Sequence, residues 1–181
     1  MNGILKVFLL ILLGGIVPLA SQGCFHSSYI EFVDDHFYTF DRERAQEEIP
    51  FPIIMPGYIP KDEYGYTPKG LISGPTKEHQ TGDGVEVSIL YQVFDTVTVT
   101  GSMTIPYKIY EYNYPVLPPA AGENHDLAYT EIDGIDVIRS EVQEQPICYY
   151  FEHDGTYFLV ESYGIPDEEA YKMIESMIGQ F

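Results

Sequence analysis

The chain has 181 residues, of which 28 are acidic and 9 are Lys or Arg, and its formal net charge is −19 at pH 7. This length predicts one domain of ordinary size with enough residues for a hydrophobic core. The charge argues against nucleic acid as a partner and against electrostatic docking on anionic lipid, because both surfaces are negative.

Residues 1–23 predict an export signal peptide. Lys6 precedes an uncharged, largely apolar run, Val7 to Ala20, and the small residues Ser21 and Gly23 follow it. The run is too short to cross roughly 30 Å of hydrocarbon comfortably, and small residues suit a signal peptidase. We therefore expect the rest of the chain to work outside the cytoplasm.

Cys24 comes directly after this segment. The arrangement resembles the lipobox of bacterial lipoproteins, whose mature N-terminal Cys carries acyl chains such as palmitate, although Ser21 stands where that pattern usually has Leu. Three interpretations stay open: a lipoprotein anchored to the membrane through Cys24, a secreted protein, and a protein held by an uncleaved leader. If Cys24 is acylated, the second cysteine, Cys148, has no intramolecular partner; otherwise the two could form a disulfide.

We interpret residues 24–40 as a tether, because they mix polar and aromatic residues without a clear period. A single domain, residues 41–181, follows. Asp41 suits the N-cap of a short helix, Arg42 to Glu48. Within it Arg44 would form an ion pair with Glu48, four residues later.

The next segments predict an extended stretch, a surface excursion and strands. Ile49 to Pro60 reads as an edge strand or a strap across the core, because Pro52 cannot donate to a ladder. Lys61 to Gly84 is dense in Gly, Pro and Lys and reads as a long surface excursion. Val85 to Val93 alternates like a half-buried strand. Thr96 to Thr100 is either a second strand or the continuation of a bent one.

A second irregular region, Ile105 to Asp126, carries four tyrosines before its prolines: Tyr107, Tyr110, Tyr112 and Tyr114. One interpretation is a proline-stiffened loop whose tyrosines pack on their own sheet. The other is an aromatic platform that binds a sugar or a peptide, because Tyr offers an apolar face and a polar tip. These four tyrosines are the candidate ligand-binding residues.

Asp133-Gly134 predicts a two-residue hairpin turn between Leu127 to Ile132 and the strand that begins at Ile135. Simple pairing would place Glu131 opposite Asp136. We expect a bulge here, because like charges directly opposite each other are unfavourable.

Asp154-Gly155 predicts a second hairpin, with Phe151 opposite Phe158 on the core face. Its other face should be partly exposed to solvent or covered by a loop. This face carries Tyr150 and the facing pair Cys148 and Glu161.

Pro166 suits the first position of a C-terminal helix. Its apolar residues fall on one stripe, which should lie on the core face of the sheet: Ala170, Met173, Ile174, Met177 and Ile178.

Two segments together resemble a known family. ERAQEEIPFPIIMPGYIPKDEY, residues 43–64, and CYYFEHDGTYFLVESYGIPDEEAYKMIESMIGQF, residues 148–181, are similar to the opening and close of a bacterial extracytoplasmic domain of unknown function. That domain occurs in lipoproteins and at the C-terminus of some anti-sigma factors. The resemblance implies an α+β fold: a curved antiparallel β-sheet, a C-terminal helix packed on one face and a short N-terminal helix. It brings no catalytic residues.

The sequence lacks a GxSxG elbow, an HExxH pair, a Walker loop and a CxxC pair, and we expect no enzyme activity, no cofactor and no metal. The leading hypothesis is a noncatalytic binding or sensing module on the outer face of the cell membrane, with a small ligand or an envelope protein as partner. The alternative is a structural or assembly subunit of a cell-envelope complex. A hydrolase that pairs carboxylates among Glu152, Asp154 and Glu161 ranks third.

Overall fold

The computed structural model describes residues 30–61, 68–80, 84–94, 103–120 and 125–180. This part of the chain forms nine strands and two α-helices, with a short 3-10 turn at Lys77–His79. The strands are β1 (Ile30–Val33), β2 (His36–Thr39), β3 (Lys69–Pro75), β4 (Glu86–Phe94), β5 (Met103–Tyr112), β6 (His125–Ile132), β7 (Ile135–Val142), β8 (Ile147–His153) and β9 (Thr156–Ser162), and the helices are α1 (Arg42–Glu48) and α2 (Asp167–Ile178).

All nine strands belong to one antiparallel sheet, in the order β1-β2-β3-β4-β5-β9-β8-β7-β6. Both helices lie on the same face of this sheet, because Ala45 of α1 and the apolar stripe of α2 share one buried cluster with the strands. We call this the covered face. The α+β class is thus confirmed as a sheet with a C-terminal helix and one short helix on one side.

Period-two alternation builds the covered face. Val87 and Ile89 of β4 and Ile109 of β5 are fully buried, as the strand pattern predicts for β4. The predicted register of the last hairpin is also confirmed: Phe151 faces Phe158, and their rings stack with centroids 4.6 Å apart. All five stripe residues of α2 are buried against this surface. Burial of each Met or Ile side chain of this stripe contributes about 1.5–3 kcal/mol through loss of contact with water.

The cap of α1 is confirmed, whereas its predicted ion pair is wrong. Asp41 Oδ1 accepts the backbone N–H groups of Glu43 at 3.0 Å and Arg44 at 3.3 Å. Arg44 pairs with Glu47 at 3.3 Å instead of Glu48. The carboxylate of Glu48 accepts a hydrogen bond from the backbone of Lys77 at 3.1 Å, which holds the end of the helix against the turn after β3.

Residues 49–60 cross the covered face without joining the sheet, so they form a strap and not an edge strand. Ile53 and Ile54 are buried in the core. Gln46 fixes the start of the strap, because its side-chain oxygen accepts the Ile53 N–H at 2.9 Å and its amide donates to the Phe51 carbonyl at 2.8 Å. At the far end, the Tyr58 N–H donates to Ser176 Oγ of α2 at 2.9 Å.

Three segments predicted to be irregular are strands. Residues 30–39, assigned to the tether, form the β1–β2 hairpin, and Phe37 of this hairpin is fully buried. Residues 69–75, assigned to the surface excursion, form β3 in the interior of the sheet. Residues 105–112, assigned to the second irregular region, belong to β5 at the centre of the sheet. The predicted strand Thr96 to Thr100 lies outside the described residues.

Strand β3 was predicted to be irregular because it contains two glycines. A Cβ on Gly70 would lie 3.0 Å from Ile89 Cγ2, and a Cβ on Gly74 would lie 3.2 Å from Phe37 Cε1. These glycines therefore make room for large neighbours on the covered face. In the sequence they look like loop residues, although their role is packing within a strand.

The predicted bulge in the β6–β7 hairpin is wrong. Glu131 lies directly opposite Asp136 in a regular register, and both side chains are exposed. Asp133 at φ 50° and Gly134 at φ 83° give the type I′ geometry that sets this register. The repulsion is tolerated because water screens it.

Helix α2 begins at Asp167, and Pro166 is its N-cap and not its first residue.

Candidate functional site

The four candidate tyrosines do not form one platform, because alternation along β5 divides them between the two faces of the sheet. Tyr107 is 1% exposed on the covered face, and its ring centroid lies 4.7 Å from that of Tyr91. Tyr110 and Tyr112 lie on the other face, and Tyr114 follows the strand. Tyr107 is therefore a core residue and is removed from the candidate site.

The other face of the sheet, which we call the tyrosine face, holds the remaining three. The rings of Tyr110 and Tyr112 are nearly parallel at 19° with centroids 6.3 Å apart, and Tyr114 meets Tyr112 edge-on at 5.2 Å. Tyr112 is only 7% exposed, so it supports its neighbours more than it offers a surface. No helix or strand in the described ranges lies over this face.

Tyr114 is held in place by the chain before β4. A Cβ on Gly84 would lie 2.2 Å from the Tyr114 ring, so the ring rests directly on the glycine backbone. Gly84 has φ 136°, which favours glycine for a second reason. The Val85 N–H donates to the side-chain oxygen of Asn113 at 2.7 Å and fixes the two segments together.

A polar centre lies among the tyrosines. We call it the Glu161 cluster, and it consists of Lys108, Tyr110, Tyr150, Glu161 and Tyr163. Lys108 faces Glu161 across β5 and β9, and Leu159 separates Tyr110 from Tyr150 in the adjoining row. The Tyr163 hydroxyl donates to Glu161 Oε2 at 2.7 Å. Tyr163 is 42% exposed and forms the rim of the cluster.

Lys108 and Glu161 are neighbours without an ion pair between them in the described part of the chain. The Lys108 ammonium donates instead to the Tyr110 hydroxyl at 3.4 Å and lies 5.9 Å from the centroid of that ring. One oxygen of Glu161 and the remaining protons of Lys108 therefore stay available for hydrogen bonds to a ligand.

The Tyr110 and Tyr150 hydroxyls and the Cys148 thiol are neutral at pH 7. Burial, followed by the charge of Glu161, raises the pKa of Tyr110. Burial, followed by Cys148, raises the pKa of Tyr150 to about 12. Burial also raises the pKa of the Cys148 thiol to about 11, with a smaller contribution from Glu161. The Glu161 cluster thus offers neutral donors around the carboxylate of Glu161 and the ammonium of Lys108, and a second carboxylate, Glu86, lies opposite Tyr112 on the same face. The thiol is a poor nucleophile.

The three carboxylates predicted for a hydrolase do not form a pair. Glu161 faces Cys148, whereas Glu152 lies farther along β8 and faces Tyr157. Glu152 accepts the Gly155 N–H at 2.8 Å and so closes the turn in which Asp154 sits. Within the described ranges, no group of three or more His, Cys, Asp or Glu side chains could hold a metal ion.

Sequence reasoning missed one acidic residue on the covered face. Glu111 is fully buried, and both of its carboxylate oxygens accept the Ile54 N–H, at 3.0 and 3.1 Å. Burial raises its pKa to about 8, although the bond from Ile54 and the charge of Arg42 oppose this. Glu111 therefore fastens the strap to the centre of the sheet. The sequence did contain a signal of this burial, because Glu111 continues the alternation of inward residues set by Tyr107 and Ile109.

Comparison of the chain with family models, with curated protein sequences and with solved structures gave no significant match. The resemblance of residues 40–181 to a bacterial extracytoplasmic domain stays a prediction that depends on its two motifs. Among the described residues, no helix is both long and apolar enough to span a membrane. Fold and site together define an α+β protein with one covered sheet face and one tyrosine-rich face.

Proposed function

We propose that this protein is a noncatalytic binding module of the cell envelope, and that its tyrosine face holds a neutral glycan at the Glu161 cluster. The observation that carries the proposal is the asymmetry of the sheet. One face is filled by α1, α2 and the strap, whereas no described helix or strand covers the half-buried tyrosines of the other. Exposed aromatic surface with a few convergent polar groups is typical of a binding site.

The chemistry of the cluster favours a sugar over other ligands. A sugar hydroxyl both donates and accepts, so one hydroxyl could donate to Glu161 and its neighbour could accept from Lys108. The apolar faces of sugar rings suit the flat ring of Tyr110. An anionic ligand is disfavoured because the chain carries a net charge of −19.

The proposed setting is the outer face of the cell membrane. Residues 1–23 would be removed and Cys24 acylated, which would tether the sheet domain on the extracytoplasmic side; a secreted protein is the alternative. We also propose that the sheet curves around α2, with α1 as the short N-terminal helix that the family resemblance implies. Mass spectrometry of the mature N-terminus tests the anchor: lipid on Cys24 supports it, and an intact Met1 contradicts it.

Titration with soluble β-linked glucose and N-acetylglucosamine oligosaccharides tests the proposed site, with NMR shifts as the readout. Tyr110→Ala should weaken binding about tenfold, because a lost aromatic contact is worth about 1 kcal/mol or more. Tyr58→Ala is the matched control, because Tyr58 is an exposed tyrosine of the strap on the covered face. Equal weakening by both variants, or no binding to the wild-type protein, would contradict the proposal.

A second candidate function, an assembly subunit of an envelope complex, is favoured by a different feature, which is the open edge of the sheet at β6.

A further inference from the structure

The sheet ends on one side in an eight-residue strand, β6. β6 pairs with β7 along its whole length without a register shift, and no other strand of the described chain pairs with its far side. Residues 128–131 are exposed, and Tyr129 keeps 71% of its surface accessible. Proteins often protect such edges with Pro, a bulge or charged side chains, especially Lys. β6 has no Pro, Lys or bulge, and its charged residues are the acids Asp126 and Glu131. At the opposite edge, the structure describes four residues of β1.

The turn decides which backbone groups of β6 point away from the sheet. In a two-residue hairpin the residues that flank the turn form a hydrogen-bonded pair, and here these are Ile132 and Ile135. Hydrogen-bonded and non-hydrogen-bonded pairs alternate from there. The N–H and C=O groups of Leu127, Tyr129 and Glu131 therefore point outward from the edge.

We propose that this edge binds an extended, basic segment of a partner protein, which adds to the sheet as a tenth strand. Strand addition uses the backbone for affinity and alternate side chains for specificity. The outward groups on β6 supply a ladder that a strand of about five residues could complete. Strand β7 lies between this edge and Tyr150 of the Glu161 cluster, so the strand-addition site goes beyond the proposed glycan site.

The charge of the partner follows from the regular register of the hairpin. Glu131 and Asp136 face each other on the tyrosine face without a bulge, which leaves two adjacent exposed carboxylates. A Lys or Arg beside Glu131 on the added strand would lie in the same cross-strand row and relieve their repulsion. A second copy of this chain would instead bring another acidic edge, at a net charge of −19 for each copy.

The side chain at the centre of the edge favours an apolar residue beside that basic one. Tyr129 faces Ile138, which in turn faces Tyr150 of the tyrosine face. An apolar residue of the added strand next to Tyr129 would continue this row. The recognised segment therefore carries a basic residue and an apolar residue at neighbouring positions on the same face of its strand.

The probe is a synthetic peptide of sequence Lys-Thr-Val-Thr-Lys-Thr-Val, capped at both ends, which places Lys and Val in turn on one face of an extended strand. The target is the full chain isolated from cells. Hydrogen exchange should show fast amides at Leu127, Tyr129 and Glu131 and slow ones at Ala128 and Thr130 in the free protein. The peptide should slow the fast amides at least about tenfold. A peptide with the same side chains but with backbone N-methyl groups is the matched control and should not bind.

Two variants at position 129 distinguish the contribution of the backbone N–H to peptide binding from that of the tyrosine ring. Tyr129→Ala keeps the outward N–H, whereas Tyr129→Pro removes it and leaves the ladder to β7 intact. The proline variant should bind the peptide about tenfold more weakly than the alanine variant, as expected for a lost backbone bond and a steric clash.

Several results would overturn the proposal. These are no binding by the wild-type chain, equal binding of the N-methylated peptide, and equal binding by the two Tyr129 variants. A dimer of the free protein that Tyr129→Pro abolishes would assign the edge to a second copy instead. The exchange experiment needs no variant, so it decides the matter even if Tyr129→Pro fails to fold. Failure of glycan binding at Tyr110 would leave these results unaffected.

Discussion

Replacing Glu111 by Gln should stabilise the protein at neutral pH. The carboxyl group is fully buried on the covered face, and its described partner is the Ile54 N–H of the strap. Gln keeps the size of the side chain and an oxygen that accepts this hydrogen bond. It removes the group that must be either protonated or charged in the core, which is the origin of the expected gain.

The magnitude follows from the raised pKa of Glu111, which burial moves from 4.5 to about 8. Between these two values the folded state holds a proton that the unfolded state has released. The free energy of unfolding is therefore highest below about pH 4.5 and falls by about 1.4 kcal/mol per pH unit as the pH rises toward 8. Between pH 4.5 and pH 7 the wild-type protein should therefore lose roughly 3 kcal/mol of unfolding free energy relative to Glu111→Gln.

Urea unfolding followed by tyrosine fluorescence, at intervals from pH 4.5 to 9, measures this difference. Glu175→Gln is the matched control, because Glu175 is an exposed carboxylate of α2, and its profile should follow that of the wild type. The comparison between variants also cancels most of the repulsion among the other acidic residues. Parallel curves for the wild type and Glu111→Gln would refute the reasoning, because the burial of this carboxyl would then not govern its titration.

Three further predictions concern other parts of the molecule. A pKa raised to about 11 should make Cys148 react with a thiolate-specific reagent roughly a hundredfold more slowly in the native protein at pH 8 than in urea; equal rates would contradict this. Gly84→Ala should lower the free energy of unfolding by about 2 kcal/mol, because φ is 136° and the new Cβ would lie 2.2 Å from the Tyr114 ring; urea denaturation that matches the wild type would refute this. Arg139 Nε lies 2.9 Å from Asp167 Oδ2, so Arg139→Ala should cost about 1 kcal/mol by separating β7 from α2; no change in the denaturation midpoint would show that the ion pair is inert.

Local periodicity predicted the elements in which alternation or a helical stripe is uninterrupted. The β4 strand, the two Gly-turn hairpins and α2 all show such patterns, and the structure contains each of them. In the last hairpin even the facing residues were correct, because a two-residue turn allows one register.

Prediction failed where residues that usually mark loops have a packing role. β3 contains Gly70 and Gly74, whose missing side chains leave room for Ile89 and Phe37. β5 looks irregular because Glu111 stands at an inward position, where an acid is rarely found.

The candidate site was only partly accessible from the sequence. Tyr110 and Tyr114 were predicted, and so was the second face of the last hairpin with Tyr150 and Glu161. The sequence could not show that β5 pairs with β9, which brings Lys108 next to Glu161. Such pairing between distant segments depends on the whole sheet and leaves no local pattern in the chain.

The most direct test of the proposed function is the set of tyrosine ring signals in an NMR titration with neutral β-linked oligosaccharides. Binding at the Glu161 cluster predicts shifts of Tyr110, Tyr150 and Tyr163, while the core rings of Tyr91 and Tyr107 stay unchanged. Absence of these shifts, or shifts confined to the covered face, would contradict the proposal that the tyrosine face is the ligand-binding surface.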